Sequence, residues 1–233
     1  MFSISNASGG YGGTPILHRV SLEVRNGEMV GLLGRNGVGK TTLMQYAMGL
    51  LAGKQSGEVS LRGERLGSSP ELRARKGLGY VPQGRRVFAR LSVAENVAVA
   101  AYACGYPRAA AVAAFFETFP MLREHAQVLA GKLSGGQQQI LAIGRALATR
   151  PAVLLLDEPT EGVQPSIVDD IAGILARLNR ETGLAMLIAE QDLDFCLSIA
   201  SRAYVMDHGT VARECTRDDL LGDKALLHEL LAV

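Results

Sequence analysis

A glycine-rich loop between an apolar strand and a helix constrains this sequence more than any other feature. The strand is predicted at Met29–Leu33. The helix is predicted from about Thr41, because the apolar residues Leu43 and Ala47 recur at helical spacing. Residues 34–41 between them read GRNGVGKT, which matches the pattern G-x-x-x-x-G-K-[ST]. Glycines permit the tight turn that directs successive backbone N–H groups at phosphate oxygens, and the helix start adds its positive dipole end. The pattern predicts a nucleotide phosphate site in a strand–loop–helix unit.

Two side chains of this loop carry further chemistry. Lys40 supplies a mobile cation for the outer phosphates, and the Thr41 hydroxyl can ligate Mg²⁺. A glycine loop that merely turns the chain is the alternative interpretation. The residues predicted to bind nucleotide here are Gly34, Arg35, Asn36, Gly37, Val38, Gly39, Lys40, Thr41 and Thr42.

A second apolar strand ends in two carboxylates. Residues 153–156 read VLLL and are followed directly by Asp157 and Glu158. At the end of a parallel strand, Asp157 can reach Mg²⁺ beside the phosphates. Glu158 points elsewhere and can orient or deprotonate the water that attacks the terminal phosphate. Taken alone, this strand end could equally be an acidic turn that faces solvent.

Alternating strands and helices set the expected fold class. Periodicity and turn signals predict an antiparallel pair (Phe2–Ser5 and Val20–Val24, across the bend GGYGG), strands at Glu58–Leu61, Leu78–Val81 and Leu184–Ala189, a helix at Ser166–Arg180, a hairpin formed by Ala203–Asp207 and Thr210–Arg213, and two short amphipathic helices from Thr216. This order predicts an α/β fold with an antiparallel β subdomain and a mainly parallel core sheet. The alanine-rich segment 85–150 is predicted to be a helical insertion, interrupted at Pro107 and Pro120.

Composition excludes several classes of protein. A chain of 233 residues, 48% hydrophobic, is long enough to bury a substantial core. Its 24 basic and 23 acidic residues leave a net charge of +1, which argues against a protein that grips nucleic acid. We expect a soluble protein that could still dock on a membrane protein, because the sequence shows neither a signal peptide nor about 20 consecutive apolar residues.

Three further motifs identify a family resemblance. Residues 133–137 read LSGGQ, Gln83 lies in YVPQG, and Tyr11 precedes the phosphate loop. In this order the motifs resemble those of ATP-binding cassette (ABC) ATPases over nearly the whole chain. The resemblance implies a P-loop NTPase of the ABC type, with a single ABC ATPase domain at 1–233. Within it, the nucleotide-binding core would comprise 1–84 and 151–233, and the helical subdomain 85–150.

The resemblance also implies roles for these residues. Tyr11 would stack on adenine, and Gln83 would sense the γ-phosphate and help to bind Mg²⁺. The signature residues, which would close over the ATP of a partner subunit, are Ser134, Gly135, Gly136 and Gln137. Independently of the family, a serine cap and free amides at a helix start form an anion site, although Ser134 could be a simple helix cap.

Two positions depart from the general family pattern. Gln191 occupies the switch position that is often histidine, and Gln164 the position of an aspartate in the loop after Glu158. Glutamine can hydrogen-bond a γ-phosphate but carries no charge. A cassette that binds ATP without hydrolysis is therefore an alternative, against which Glu158 argues. We expect Glu158, Gln191 and Gln83 to be the catalytic residues.

The resemblance narrows further to the uptake systems for branched-chain amino acids and urea. The segments GRNGVGKTT, VPQGRRVF and DEPTEGVQPSI are most similar to the ATP-binding subunits of urea transporters. The expected function is to power import of urea or short-chain amides. The alternatives are branched-chain amino-acid import and, outside transport, a soluble ABC ATPase.

The implied assembly sets the expected partners and location. The partners would be a second ABC ATPase, identical or paralogous, two membrane permease subunits that dock near residues 85–93, and indirectly a solute-binding protein. No nucleic-acid partner is expected. Such an ATPase would sit peripherally at the cytoplasmic face of the bacterial inner membrane.

Overall fold

Two β-sheets organise residues 1–222, the part of the chain that the computed structural model describes. The strands of this part are β1 (Phe2–Tyr11), β2 (Thr14–Val24), β3 (Met29–Leu33), β4 (Ser56–Leu61), β5 (Glu64–Arg65), β6 (Leu78–Val81), β7 (Val153–Asp157), β8 (Ala185–Glu190), β9 (Arg202–Asp207) and β10 (Thr210–Thr216). The α-helices are α1 (Lys40–Met48), α2 (Pro70–Arg75), α3 (Val93–Ala103), α4 (Arg108–Thr118), α5 (Gly135–Leu147), α6 (Pro165–Thr182), α7 (Leu193–Ile199) and α8 (Arg217–Gly222).

The smaller sheet is antiparallel, with the strand order β2-β1-β4-β5. Its β1–β2 hairpin confirms the predicted pair, but the predicted bounds were wrong. Strand β1 continues through Gly9–Tyr11, and only Gly12 and Gly13 form the turn, with φ of 55° and 89°. A two-residue hairpin turn requires such positive φ values, which glycine adopts without steric cost. The short strand β5 was not predicted.

The larger sheet confirms the predicted parallel core. Its strand order is β10-β9-β3-β8-β7-β6, with every neighbouring pair parallel except the β9–β10 hairpin. Its register pairs Leu33 with Glu190, Asp157 with Ala189 and Val81 with Leu156. The carboxyl ends of β3, β6, β7 and β8 therefore lie level at one edge, where ligands bind in open α/β sheets.

Both faces of strands β3, β7 and β8 in the core sheet are buried, which explains their nearly continuous apolar sequences. Alternate residues of β7 belong to different clusters: Leu155 packs with α1 residues such as Leu43, and Leu154 packs with Leu141 of α5 and Ile171 of α6. Successive side chains of a strand point to opposite faces, so every position of a covered strand must be apolar.

Regular structure between residues 85 and 150 is helical, as predicted. It comprises α3, α4, α5 and two 3₁₀ helices (Pro120–His125 and Ala130–Lys132), with one isolated bridge between Ser92 and Leu129. Pro107 caps the start of α4, and Pro120 opens a 3₁₀ helix. Of the two terminal helices predicted from Thr216, the first is α8, and the second falls outside the described residues. Within residues 1–222, every helix is too short or too polar to cross a membrane.

Candidate functional site

The predicted phosphate loop lies between β3 and α1, with Lys40 as the first residue of the helix. Gly39 caps α1 at a φ of 109°, without a side-chain hydrogen bond to the first amides. Position 34 also requires glycine, because an added Cβ would lie 2.6 Å from the carbonyl oxygen of Met206. The uncapped amides of the first turn are available to an anion.

Lys40 is almost fully buried, at 3% exposure, and its ammonium group is fully engaged. Its Nζ donates to the carbonyl oxygens of Gly34 at 2.7 Å and Arg35 at 3.2 Å. It also pairs with Oε1 of Glu158 at 3.2 Å. The loop therefore places the cation between the backbone that would hold phosphates and the carboxylate that would activate water. Thr42, on the same turn, is buried within α1.

Thr41 and Asp157 form a pair of oxygen ligands beside the loop. The Thr41 hydroxyl donates to Oδ1 of Asp157 at 3.1 Å, and the Tyr80 hydroxyl donates to Oδ2 at 3.1 Å. Burial raises the pKa of Asp157 to about 6, against the lowering effect of these two hydrogen bonds. A bound cation would stabilise the ionised form of such a buried carboxylate.

This donor set fits Mg²⁺. Hydroxyl and carboxylate oxygens are the hard ligands that the ion prefers, and it completes its coordination with water and phosphate. Within residues 1–222, no group of three His, Cys, Asp or Glu side chains could hold a metal by itself. Because Mg²⁺ is commonly held by one or two protein ligands plus substrate phosphates, we expect the ion to bind together with the nucleotide.

Glu158 occupies a strained position directly after β7. Its φ is 47°, in the left-handed region that non-glycine residues rarely adopt. Such outliers cluster at functional sites, and they persist only where the surroundings hold them. The Glu158 amide donates to the carbonyl oxygen of Ala189 at 2.8 Å, and its carboxylate is held between Lys40 and Gln83.

Gln83 contacts the carboxylate of Glu158 in this structure. Its Nε2 donates to Oε2 of Glu158 at 2.8 Å and to Oε2 of Glu161 at 3.1 Å. The structure thus brings Gln83 to Glu158 rather than into the Thr41–Asp157 pair. A role for Gln83 at Mg²⁺ remains a prediction.

The signature segment begins α5 with a reciprocal cap. The Ser134 hydroxyl accepts from the Gln137 amide at 3.3 Å, and the Gln137 side chain accepts from the Ser134 amide at 3.0 Å. Ser134 is solvent-exposed, so the cap presents a serine and two glycines, Gly135 and Gly136, at the surface. Arg85 packs against Gly135 and donates to the carbonyl oxygens of Glu161 and Gly162. A second molecule could reach this helix start.

Tyr11 and Gln191 are both exposed. Tyr11 ends β1, and its hydroxyl donates to Oε1 of Gln45 on α1 at 2.7 Å, which places its ring next to the phosphate-binding helix. Gln191 follows β8 directly, and its backbone amide donates to Oε2 of Glu190 at 3.1 Å. Adenine stacking and the switch role remain predictions for these two side chains.

Sequence analysis missed Tyr80 and Glu190. Tyr80 lies on β6 and reaches Asp157 only because β6 pairs with β7. Glu190 is the buried last residue of β8 and bonds the Thr160 amide and hydroxyl. A signal for Glu190 existed, since it is a carboxylate at the end of a wholly apolar strand.

The assembled groups suit phosphoryl transfer to water. The uncapped amides and Lys40 can bind phosphate oxygens, the Thr41–Asp157 pair fits a divalent cation, and Glu158 can accept a proton from water. All of them lie at the carboxyl edge of the core sheet, after β3 and β7.

Comparison with known proteins agrees with this chemistry. The family model described as ABC transporter matches residues 17–161. The chain is 41% identical to the high-affinity branched-chain amino acid transport ATP-binding protein BraG of Pseudomonas aeruginosa, over 95% of each chain. It is 36% identical to LivF of Archaeoglobus fulgidus, a probable branched-chain amino acid transport ATP-binding protein, over 91% of this chain and 90% of that one.

Solved structures show the same fold. A nucleotide-free ATP-binding cassette from an ABC transporter superposes with a TM-score of 0.87 at 25% identity, covering 100% of this chain and 98% of that one. The dimeric structure of the bacterial ABC transporter cassette MJ0796 superposes with a TM-score of 0.82 at 27% identity, covering 93% and 99%.

Proposed function

Since this chain belongs to the ABC transporter family, we propose that it powers the import of branched-chain amino acids. Membership makes the chain an ATP-binding subunit of a transporter and an ATPase. The direction of transport, the solute, the detailed partners and the individual residue roles belong to the proposal.

The observation that carries the ATPase mechanism is the contact between Lys40 and Glu158. In this structure Oε1 of Glu158 takes one of the three donors of the buried ammonium group. A γ-phosphate at the loop would compete for that donor and free the carboxylate for water. The same cation would thereby bind the phosphate and set the position of the general base.

The other residues of the site act around this contact. Tyr11 would stack on adenine, and the amides of residues 36–41 would hold the phosphates. Thr41 and Asp157 would hold Mg²⁺, whose positive charge would offset that of the phosphates. Gln83 and Gln191 would sense the terminal phosphate, from opposite sides of Glu158.

We propose that the second anion site serves a partner subunit. The phosphate loop already provides one anion site, so the exposed start of α5 is available to the nucleotide of another ATPase. The dimeric cassette that this chain resembles supports such pairing. The partner could be a second copy or a paralogue. The exposed segment near Phe88 would contact membrane subunits, and through them the chain would be held at the cytoplasmic face of the inner membrane.

The proposed solute is taken from the transporters to which the most similar relatives belong. Identity of 41% along 95% of both chains favours branched-chain amino acids. Urea, which the loop segments alone suggested, is the second candidate. No residue of the site contacts a solute in this mechanism, because membrane subunits and a binding protein would select it.

Uptake by cells tests the proposal. Cells that lack this subunit would receive the wild-type chain or the Glu158→Gln chain, and uptake of labelled leucine and labelled urea would be measured. We expect wild type to restore leucine uptake and Glu158→Gln to fail. Restoration of urea uptake alone would overturn the solute assignment, and restoration of neither would overturn the assignment to these importers.

A further inference from the structure

Glu190 is a buried acid that the mechanism above does not use. It ends β8, and only 3% of its surface is exposed. Its carboxylate accepts four hydrogen bonds from neutral donors: the Thr160 amide (2.9 Å) and hydroxyl (2.6 Å), the Gln191 amide (3.1 Å) and the Asp192 amide (3.4 Å). Burial raises the pKa of Glu190 above its ordinary value.

The two carboxylate oxygens serve two different loops. Oε1 accepts both bonds from Thr160, two residues after Glu158. Oε2 accepts the amides of Gln191 and Asp192, which begin the loop of the predicted switch. One side chain therefore ties the loop of the general base to the loop of the switch.

The tie acts on a strained residue. The left-handed φ of Glu158, 47°, must be maintained by its surroundings. On its N-terminal side the Glu158 amide is bound by the carbonyl oxygen of Ala189, at 2.8 Å. On its C-terminal side Thr160 is bound by Glu190. The end of β8 thus fixes the chain on both sides of Glu158.

We propose that Glu190 is a positioning residue for ATP hydrolysis, which holds the loops of Glu158 and Gln191 in register. Within residues 1–222 its carboxylate makes no hydrogen bond or ion pair with the phosphate loop or Lys40, so we expect it to act on turnover and not on nucleotide affinity. The inference rests on the proposed role of Glu158 as the general base.

The first test is Glu190→Gln in the full-length chain. Glutamine has the same shape but only one acceptor oxygen, so it can serve one loop and must turn its NH₂ group toward the donors of the other. We expect kcat for phosphate release to fall about 10- to 100-fold, the range produced by misplacing a catalytic group. KM for ATP and the affinity for a fluorescent ATP analogue should stay within about twofold, since the phosphate loop is unchanged.

A matched pair of substitutions at Thr160 tests the same contact if the Glu190→Gln protein does not fold. Thr160→Val removes the hydroxyl donor with little change of shape, and Thr160→Ser keeps it. We expect Thr160→Val to lower kcat several-fold at unchanged KM. Thr160→Ser, made separately, should keep kcat near that of the wild type. Circular dichroism at the assay temperature would verify that each variant is folded.

Two results would overturn the inference: a folded Glu190→Gln with wild-type kcat, or equal kcat for the valine and serine variants. A rise in KM equal to the fall in kcat/KM would also overturn it, because Glu190 would then act on binding. Glu158→Gln separates this failure from failure of the proposed mechanism. If Glu158→Gln retains full turnover, the general base is wrongly assigned, whatever Glu190 does.

Discussion

At the scale of single residues, the proposed catalysis relies on charged side chains that are buried in the fold. Lys40, Asp157 and Glu190 are each at most 3% exposed, and all lie at the carboxyl edge of the core sheet. Burial of an ion costs several kcal/mol unless hydrogen bonds or opposite charge offset it. In this chain loop residues supply those bonds to Lys40 and Glu190, and α1 and β6 supply them to Asp157. The stability of these segments and the geometry of the site are therefore coupled.

Glu158 can be tested against a matched neighbour. Glu158 and Glu161 both accept from Nε2 of Gln83, but only Glu158 pairs with Lys40. We expect Glu158→Gln to lower kcat at least about 100-fold while ATP binding persists, because a general base contributes a factor of about 10² to 10⁴. Glu161→Gln should keep kcat within about threefold of wild type. Phosphate release and binding of a fluorescent ATP analogue measure both quantities, and equal effects of the two changes would contradict the assignment.

Local patterns reveal some of these residues and not others. Lys40, Thr41, Asp157 and Glu158 belong to contiguous motifs whose chemistry requires a fixed spacing, so the sequence alone indicates them. Glu190 lies 32 positions after Glu158, and its contact with Thr160 depends on the pairing of β8 with β7. Such a contact follows from strand register, which one sequence determines only weakly.

At the scale of elements, the covered sheet was the easiest part to predict. Strand β3 and residues 153–156 of β7 are short apolar runs, which is typical of parallel strands between helices. The β1–β2 hairpin was harder, because glycines at 9 and 10 resemble a turn although they lie in a strand. There, pairing with β2 overrides local propensity.

Two helical glycines should respond oppositely to alanine. An added Cβ at Gly144 in α5 would lie 2.2 Å from the Phe115 ring, whereas at Gly173 in α6 no described atom lies within 4 Å. We expect Gly144→Ala to lower the free energy of unfolding by about 1–3 kcal/mol, since overpacking outweighs helix propensity. Gly173→Ala should raise it by about 0.5–1 kcal/mol. Urea unfolding measures both, and stabilisation by Gly144→Ala would refute the packing of α4 on α5.

The ion pairs of Arg202, at the start of β9, should make the stability of the protein depend on pH. Arg202 pairs with Glu28 at 2.7 Å and with the more exposed Glu214 at 2.9 Å. Burial alone would raise the pKa of Glu28, but hydrogen bonds from Arg202 and the Arg25 amide lower it below its ordinary value. A lowered pKa contributes stability that is present above the unfolded pKa and lost as the pH falls through the folded pKa.

Glu28→Gln should therefore cost about 1–2 kcal/mol of unfolding free energy at pH 7 and less near pH 3.5, which lies below the ordinary pKa of glutamate. Glu214→Gln is the control, because its carboxylate is half-exposed, and it should cost under about 0.5 kcal/mol. Urea unfolding at the two pH values provides the comparison. A cost for Glu28→Gln that is equal at both would show that the ion pair contributes nothing.

At the scale of the whole molecule, a short path connects the site to the surface. Gln83 bonds Glu158, and five residues later Phe88 is 48% exposed. Its backbone is fixed by the buried Asn96, which accepts from the Phe88 amide at 2.8 Å and donates to its carbonyl oxygen at 3.1 Å. The guanidinium of Arg145 lies over the Phe88 ring, 4.8 Å from its centroid. A partner bound at Phe88 would therefore contact the chain five residues after Gln83, which bonds Glu158.

A substitution at Phe88 tests whether solute transport can be impaired without loss of ATP hydrolysis. Phe88→Asp should lower solute uptake at least about tenfold, because a buried aromatic anchor at an interface contributes 2 kcal/mol or more. Hydrolysis by the isolated chain should stay within about twofold. Tyr102→Asp is the matched control, since Tyr102 is also exposed, at 65%, and also lies under an arginine, Arg108 at 4.4 Å. It lies outside the proposed docking segment, so uptake should persist. Equal losses of uptake would place the docking surface elsewhere on the helical segment, and a parallel loss of hydrolysis in Phe88→Asp would show that Phe88 supports the site directly.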